Sequence, residues 1–125
     1  MTAPNIVGVS TITGKTIYNS LSSTSPTVLL SNAASSNAVL KVNNISVSND
    51  SASGSTAKIT VTINDAAAGG GTAYNIANNV GIASESTLVI MDKASSIYLE
   101  ENKSIVVTAS ASDSLDVVCS YEEIL

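Results

Sequence analysis

In AKITVTIN, residues 57–64, Ile59, Val61 and Ile63 fall on one side of an extended chain and Lys58, Thr60, Thr62 and Asn64 on the other. A period of two in β-branched residues builds a strand with one buried and one wet face, and excludes an amphipathic helix over the same residues. The pattern recurs. SIVVTAS turns Ile105, Val107 and Ala109 inward, and LDVVCSY does the same with Leu115, Val117, Cys119 and Tyr121. The polar connection ASDS, residues 111–114, predicts that these two runs form an antiparallel hairpin. STLVIMD (86–92) and SIYLE (96–100) read as a strand and a short strand separated by Lys93 and Ala94. PTVLLS opens on Pro26, a residue tolerated at the start of a strand.

KVNNISVSND, residues 41–50, alternates with a change of phase. Leu40 and Val42 face one way at even positions, whereas Ile45 and Val47 do so at odd ones. One extra residue at Asn43-Asn44 restores inward facing, so the slip predicts a β-bulge that bends the strand as it passes from one sheet to another. Loops fall at SNAASSN (31–37), NDSASGS (49–55) and DAAAGGG (65–71), where the glycine triplet reads as flexible chain. TAYNIANNV lacks a sustained three-four spacing and reads as strand or irregular structure. Eight or nine short segments about every ten residues predict an all-β chain: an antiparallel β-sandwich of jelly-roll or Greek-key type. Residues 26–125 form that sandwich, and residues 1–25 an extended N-terminal arm or its first hairpin, turning at Gly14-Lys15.

The chain of 125 residues has four Tyr and neither Phe nor Trp, so the volume available to fill a core is modest. Ordering costs about 1–2 kcal/mol per residue, and burial at roughly 25 cal/mol per Å² offsets this narrowly, which points to further burial against other chains. A net charge of −5 repels phosphate backbones and anionic membranes, so neither nucleic acid nor membrane is an expected partner. The start lacks a secretory signal pattern, and no stretch approaches the roughly 20 apolar residues of a membrane span. With Cys119 the single cysteine, no intrachain disulfide forms, as expected of a product of the reducing cytoplasm.

Chemistry is hard to place. GVSTITGKT approaches a phosphate-binding loop, but Val9 stands where the first glycine is required and no helix pattern follows Thr16. No histidine exists to pair with a nucleophile, and zinc lacks ligands. Asp50, Asp65, Asp92, Asp113 and Asp116 read as turn and solvation residues rather than calcium ligands. Glu100-Glu101 and Glu122-Glu123 point to opposite faces of a strand and read as solvated charge. No cofactor, metal or catalytic site is expected. Tyr18, Tyr74 and Tyr98 are the aromatic residues open to a partner or a glycan, with Tyr121 facing the core.

Val42 to Asn49 (VNNISVSN), Ile59 to Ile63 (ITVTI), Ile97 to Ser110 and Asp116 to Glu122 (DVVCSYE) together resemble the small virion structural proteins of tailed bacteriophages, especially phages of marine cyanobacteria. The likeness extends from Thr27 onward, about four fifths of the chain. It implies a noncatalytic particle component made in the host cytoplasm and carried in the virion. The preferred role is a capsid decoration (cement) protein bound to the major capsid protein lattice; the alternatives are a neck, tail or fibre-attachment protein, or a carbohydrate-binding module. A homo-oligomer is expected, with a trimer favoured. Contacts with copies or with the shell are assigned to the arm through Ile6, Val7, Val9, Ile12, Ile17 and Tyr18, with Tyr74 and Tyr98 as further candidates.

Overall fold

A computed structural model describes residues 6–125; Met1 to Asn5, the first part of the expected arm, lie outside the described residues. Nine strands build two sheets: β1 (Ile12–Leu21), β2 (Thr27–Asn32), β3 (Val39–Asn49), β4 (Ala57–Asn64), β5 (Ala73–Ile82), β6 (Ser86–Met91), β7 (Ile97–Leu99), β8 (Lys103–Ala109) and β9 (Leu115–Ile124). One sheet runs β1-β9-β3-β6 with β7 also on β3, and the other runs β2-β8-β4-β5. All pairings are antiparallel. Only β4–β5 and β6–β7 stay within a sheet; every other connection crosses, the winding expected of a jelly-roll or Greek-key sandwich.

The core lies between the sheets. Val42, Ile45, Val47, Ile59, Val61, Leu99, Ile105, Val107, Val117 and Cys119 are fully buried there, and Tyr121 packs against them from the rim. The phase change in β3 is a bulge at the expected place. Val42 lies opposite Tyr121 and Asn44 opposite Ser120, so Asn43 is the extra residue. Leu40 and Val42 before it, and Ile45 and Val47 after it, all reach the core. The strand nevertheless does not leave its sheet. It changes partner on one side, pairing with β7 through Leu40, Lys41 and Val42 and with β6 from Ile45 to Asn49. Between β6 and β7 a 3₁₀ turn, Lys93–Ser95, is capped by Asp92, whose Oδ1 accepts from the backbone N–H of Ala94 (3.0 Å) and Ser95 (3.2 Å).

Two local expectations are corrected. The runs on either side of residues 111–114 are not a hairpin: β8 lies between β2 and β4 in one sheet, and β9 between β1 and β3 in the other. A short polar loop can arch between sheets as readily as it can close a hairpin, and here the backbone N–H of Asp113 donates to Leu21 O (2.9 Å) and that of Asp50 to Ser114 O (2.9 Å). Nor does the chain turn at Gly14-Lys15, because β1 passes straight through both in unbroken register with β9. Flanking β-branched residues outweigh one glycine.

Buried asparagines close three strands. Asn32 ends β2, Asn49 ends β3 and Asn64 ends β4, and each donates through Nδ2 to two carbonyls. Asn64 has the fullest set: Nδ2 donates to Gly69 O (3.1 Å) and Gly71 O (3.2 Å), while Oδ1 accepts from Ala66 N (3.0 Å) and Gly71 N (2.9 Å). The glycine triplet is therefore a built turn and not slack chain. Gly69 takes a left-handed φ of 79°, and a Cβ on Gly71 would collide with the Asp65 carboxylate.

Candidate functional site

Side chains on the outer face of the larger sheet can be followed from strand to strand through the register. Tyr18 lies opposite Val118, Val118 opposite Ser46, and Ser46 opposite Val89. Tyr18 is 75% exposed, Val89 53% and Val118 42%. At the usual spacing of about 4.8 Å between strands, this row crosses about 14 Å of sheet. Polar rows flank it. On one side stand Ser20, Asp116, Ser48 and Thr87, and on the other Thr16, Ser120 and Asn44. A shallow hollow of about 340 Å³ lies at the row's β1 end, lined by Tyr18, Asn19, Ser20, Asp116, Val117 and Val118.

The residues expected to make contacts are dispersed. Tyr98 lies on the same outer face but near the opposite edge, beside Lys41 and one strand from Glu122. Tyr74 belongs to the other sheet, opposite Ile63, where a cleft of about 150 Å³ is lined by Ile63, Asn64, Asp65, Tyr74 and Lys103. The three tyrosines share no platform. Ile6 and Val7 are exposed on a 3₁₀ turn, Ile6–Gly8, and Val9 is half-buried. Ile12 heads a second outer-face row with Ile124 and Val39, both of which are buried. Ile17 faces inward, half-buried, and packs against the core. Val118 and Val89 are not among the residues expected to make contacts. The pattern does carry a signal for them, since Val118 and Val89 each stand at an outward position of an alternating strand and are apolar.

Titratable groups serve the scaffold. Lys15 Nζ donates to Glu123 Oε1 at 2.9 Å, and this pairing raises the lysine pKa at the surface. Asn43 Nδ2 donates to Glu122 Oε1 (3.2 Å), bracing the bulge against β9. Asp65 Oδ1 accepts from Thr72 N (2.7 Å) in the turn after β4. Burial pushes the Cys119 thiol up to about 12, so it is neither a nucleophile nor a partner for oxidation in the folded chain. Among the described residues no three His, Cys, Asp or Glu gather as metal ligands, and no helix is long and apolar enough to cross a membrane.

No protein family pattern and no curated protein matches the sequence. A solved structure does share the fold: a chain from the work "Bacillus endospore appendages form a novel family of disulfide-linked pili" superposes with a TM-score of 0.53 at 12% identity, over 99% of this chain and 96% of that one. At that identity the likeness establishes the fold alone. The linkage named for those pili has no counterpart in a chain whose single cysteine is buried.

Proposed function

We propose that this chain is a non-enzymatic structural subunit of a repeated surface assembly, and specifically a decoration protein that lies on the capsid of a bacteriophage and binds its major capsid protein. The observation that carries this reading is the row Tyr18–Val118–Ser46–Val89 on the outer face of the larger sheet, apolar at three of its four positions and flanked by polar rows. An exposed strip about 14 Å long between two polar rows fits a broad protein surface, which can exclude water from the strip and meet the hydroxyls around it. It does not enclose a small substrate. The resemblance to phage virion proteins supports the particle, and the shared fold with an appendage protein supports a scaffold used for assembly. In a symmetric particle many such contacts act together, so each can be weak.

The test is occupancy of purified particles. Quantitative mass spectrometry should find the chain in fixed ratio to the major capsid protein, and particles assembled with Val89→Asp plus Val118→Asp should carry at least tenfold less. Both positions are outward-facing, so the double variant should melt within a few degrees of the parent. Equal occupancy by parent and variant, or absence of the chain from particles, would overturn the reading.

A further inference from the structure

The two open sheets end in four edges, and three of them are broken. The β2 edge is six residues long, follows Pro26 and slips register at Leu29. The β5 edge slips twice against β4 and carries Asn79 at a left-handed φ of 56°. The edge formed by β6 and β7 slips at Ile90 and is interrupted by the Lys93–Ser95 turn. Bulges, short length and proline are the usual devices that keep an edge from recruiting another strand. The β1 edge has none of them. Ten consecutive residues, Ile12 to Leu21, hold unbroken register with β9, and the one charge, Lys15, is tied to Glu123 on that partner. Among the described residues no strand covers its other side.

We infer that β1 pairs with β1 of a second copy, antiparallel across a two-fold axis, joining the two larger sheets into one. This rests on the reading of the chain as a subunit of a repeated assembly and names the edge through which copies meet. A regular ten-residue edge needs a partner of equal regularity, and β1 is the one described edge that offers it. Self-pairing of identical strands is then isologous and closed. The register is nearly fixed as well. Residues facing each other across an antiparallel ladder lie on the same face, so full overlap centres the axis on Thr16 or Ile17.

Centring on Thr16 sets Gly14 opposite Tyr18 of the second copy. A Cβ at Gly14 would meet nothing within 4 Å, so the exposed ring gains an open floor to lie on, twice by symmetry. It also sets Lys15 opposite Ile17 and keeps the two lysines out of direct opposition. Centring on Ile17 would place Gly14 opposite Ser20 and leave the glycine uncovered. Thr16 is therefore the axial residue, and the outer faces of the two copies become continuous.

Sedimentation of the purified chain should give a concentration-dependent mass of two copies. Thr16→Lys places like charges across the axis at an exposed site, and should weaken the dimer at least tenfold with little change in melting temperature. Mild oxidation of Thr16→Cys should yield a covalent dimer, with Cys119 silent, whereas Val89→Cys on the far edge should not. A monomer at all concentrations, equal cross-linking of both variants, or cross-linking through Ile17→Cys instead would overturn the inference. Dimers that fail to occupy particles would refute the decoration role and leave this interface standing; monomers that occupy particles would do the reverse.

Discussion

Replacing Asn64 by alanine should show how much one buried amide contributes to this fold. Asn64 is almost fully buried and makes four hydrogen bonds to the loop that follows it, between 2.9 and 3.2 Å. A neutral bond contributes about 0.5–1.5 kcal/mol net, and the freed loop groups lie near solvent and regain water, so the full penalty of stranded groups does not apply. The expected loss is about 3 kcal/mol, a large part of the roughly 5–15 kcal/mol typical of a domain. For a chain of this size that lowers the melting temperature by about 10 °C. Urea unfolding should show a lower midpoint at constant slope. Asn75→Ala is the control, because Asn75 is exposed on β5, and it should change stability by less than about 0.5 kcal/mol. Equal, small effects of the two substitutions would refute the claim that Asn64 staples the loop.

Gly71→Ala should cost about 1–3 kcal/mol, because the new methyl meets the Asp65 carboxylate oxygen that accepts from Thr72, whereas Gly14→Ala finds open space within its own chain and should be neutral or slightly stabilising to the monomer; thermal melts of dilute, dissociated protein compare the two directly. Cys119 supplies an alkaline test. Its pKa rises from an ordinary 9.0 to about 12 on folding, so between those values the unfolded chain loses a proton that the folded chain keeps. Stability from this group is complete below pH 9 and falls by about 1.4 kcal/mol per pH unit above it, a slope that Cys119→Ala should remove in denaturant titrations.

Much of this architecture is legible as alternation. Ile59 and Val61, Ile105 and Val107, and Leu115, Val117 and Cys119 sit where a period of two puts them, and the phase change around Asn43 identifies a bulge because burial constrains the chain on both sides of it. Strand pairing is less legible. Residues 111–114 are polar and turn-forming whether they join neighbours in one sheet or arch between two, and the choice is made by β1, β3, β2 and β4, far away in sequence. The asparagine staples went unread for a related reason. Asn32 and Asn49 look like ordinary loop residues, and Asn64 like the wet face of a strand, until the carbonyls they satisfy are brought beside them, some from distant strands, as Leu99 is beside Asn32. Tyr18, Tyr74 and Tyr98 are exposed, but composition carries no information about whether exposed residues converge.

A shared sandwich does not imply a shared means of holding copies together. The appendage protein with this fold belongs to pili described as disulfide-linked, and a covalent link tolerates a weak noncovalent contact around it. Here the single thiol sits in the core, so any contact between copies must be made by surface and backbone alone. Three of the four described edges carry the breaks that discourage pairing, which leaves β1 as the edge suited to pairing strand on strand. The apolar row begins on β1 at Tyr18 and runs away from it toward Val89, leaving most of the outer face open when the edge is occupied. One edge for a second copy and one face for a larger surface are therefore compatible demands on the same sheet, and a chain this poor in aromatic residues can meet both without enlarging its core.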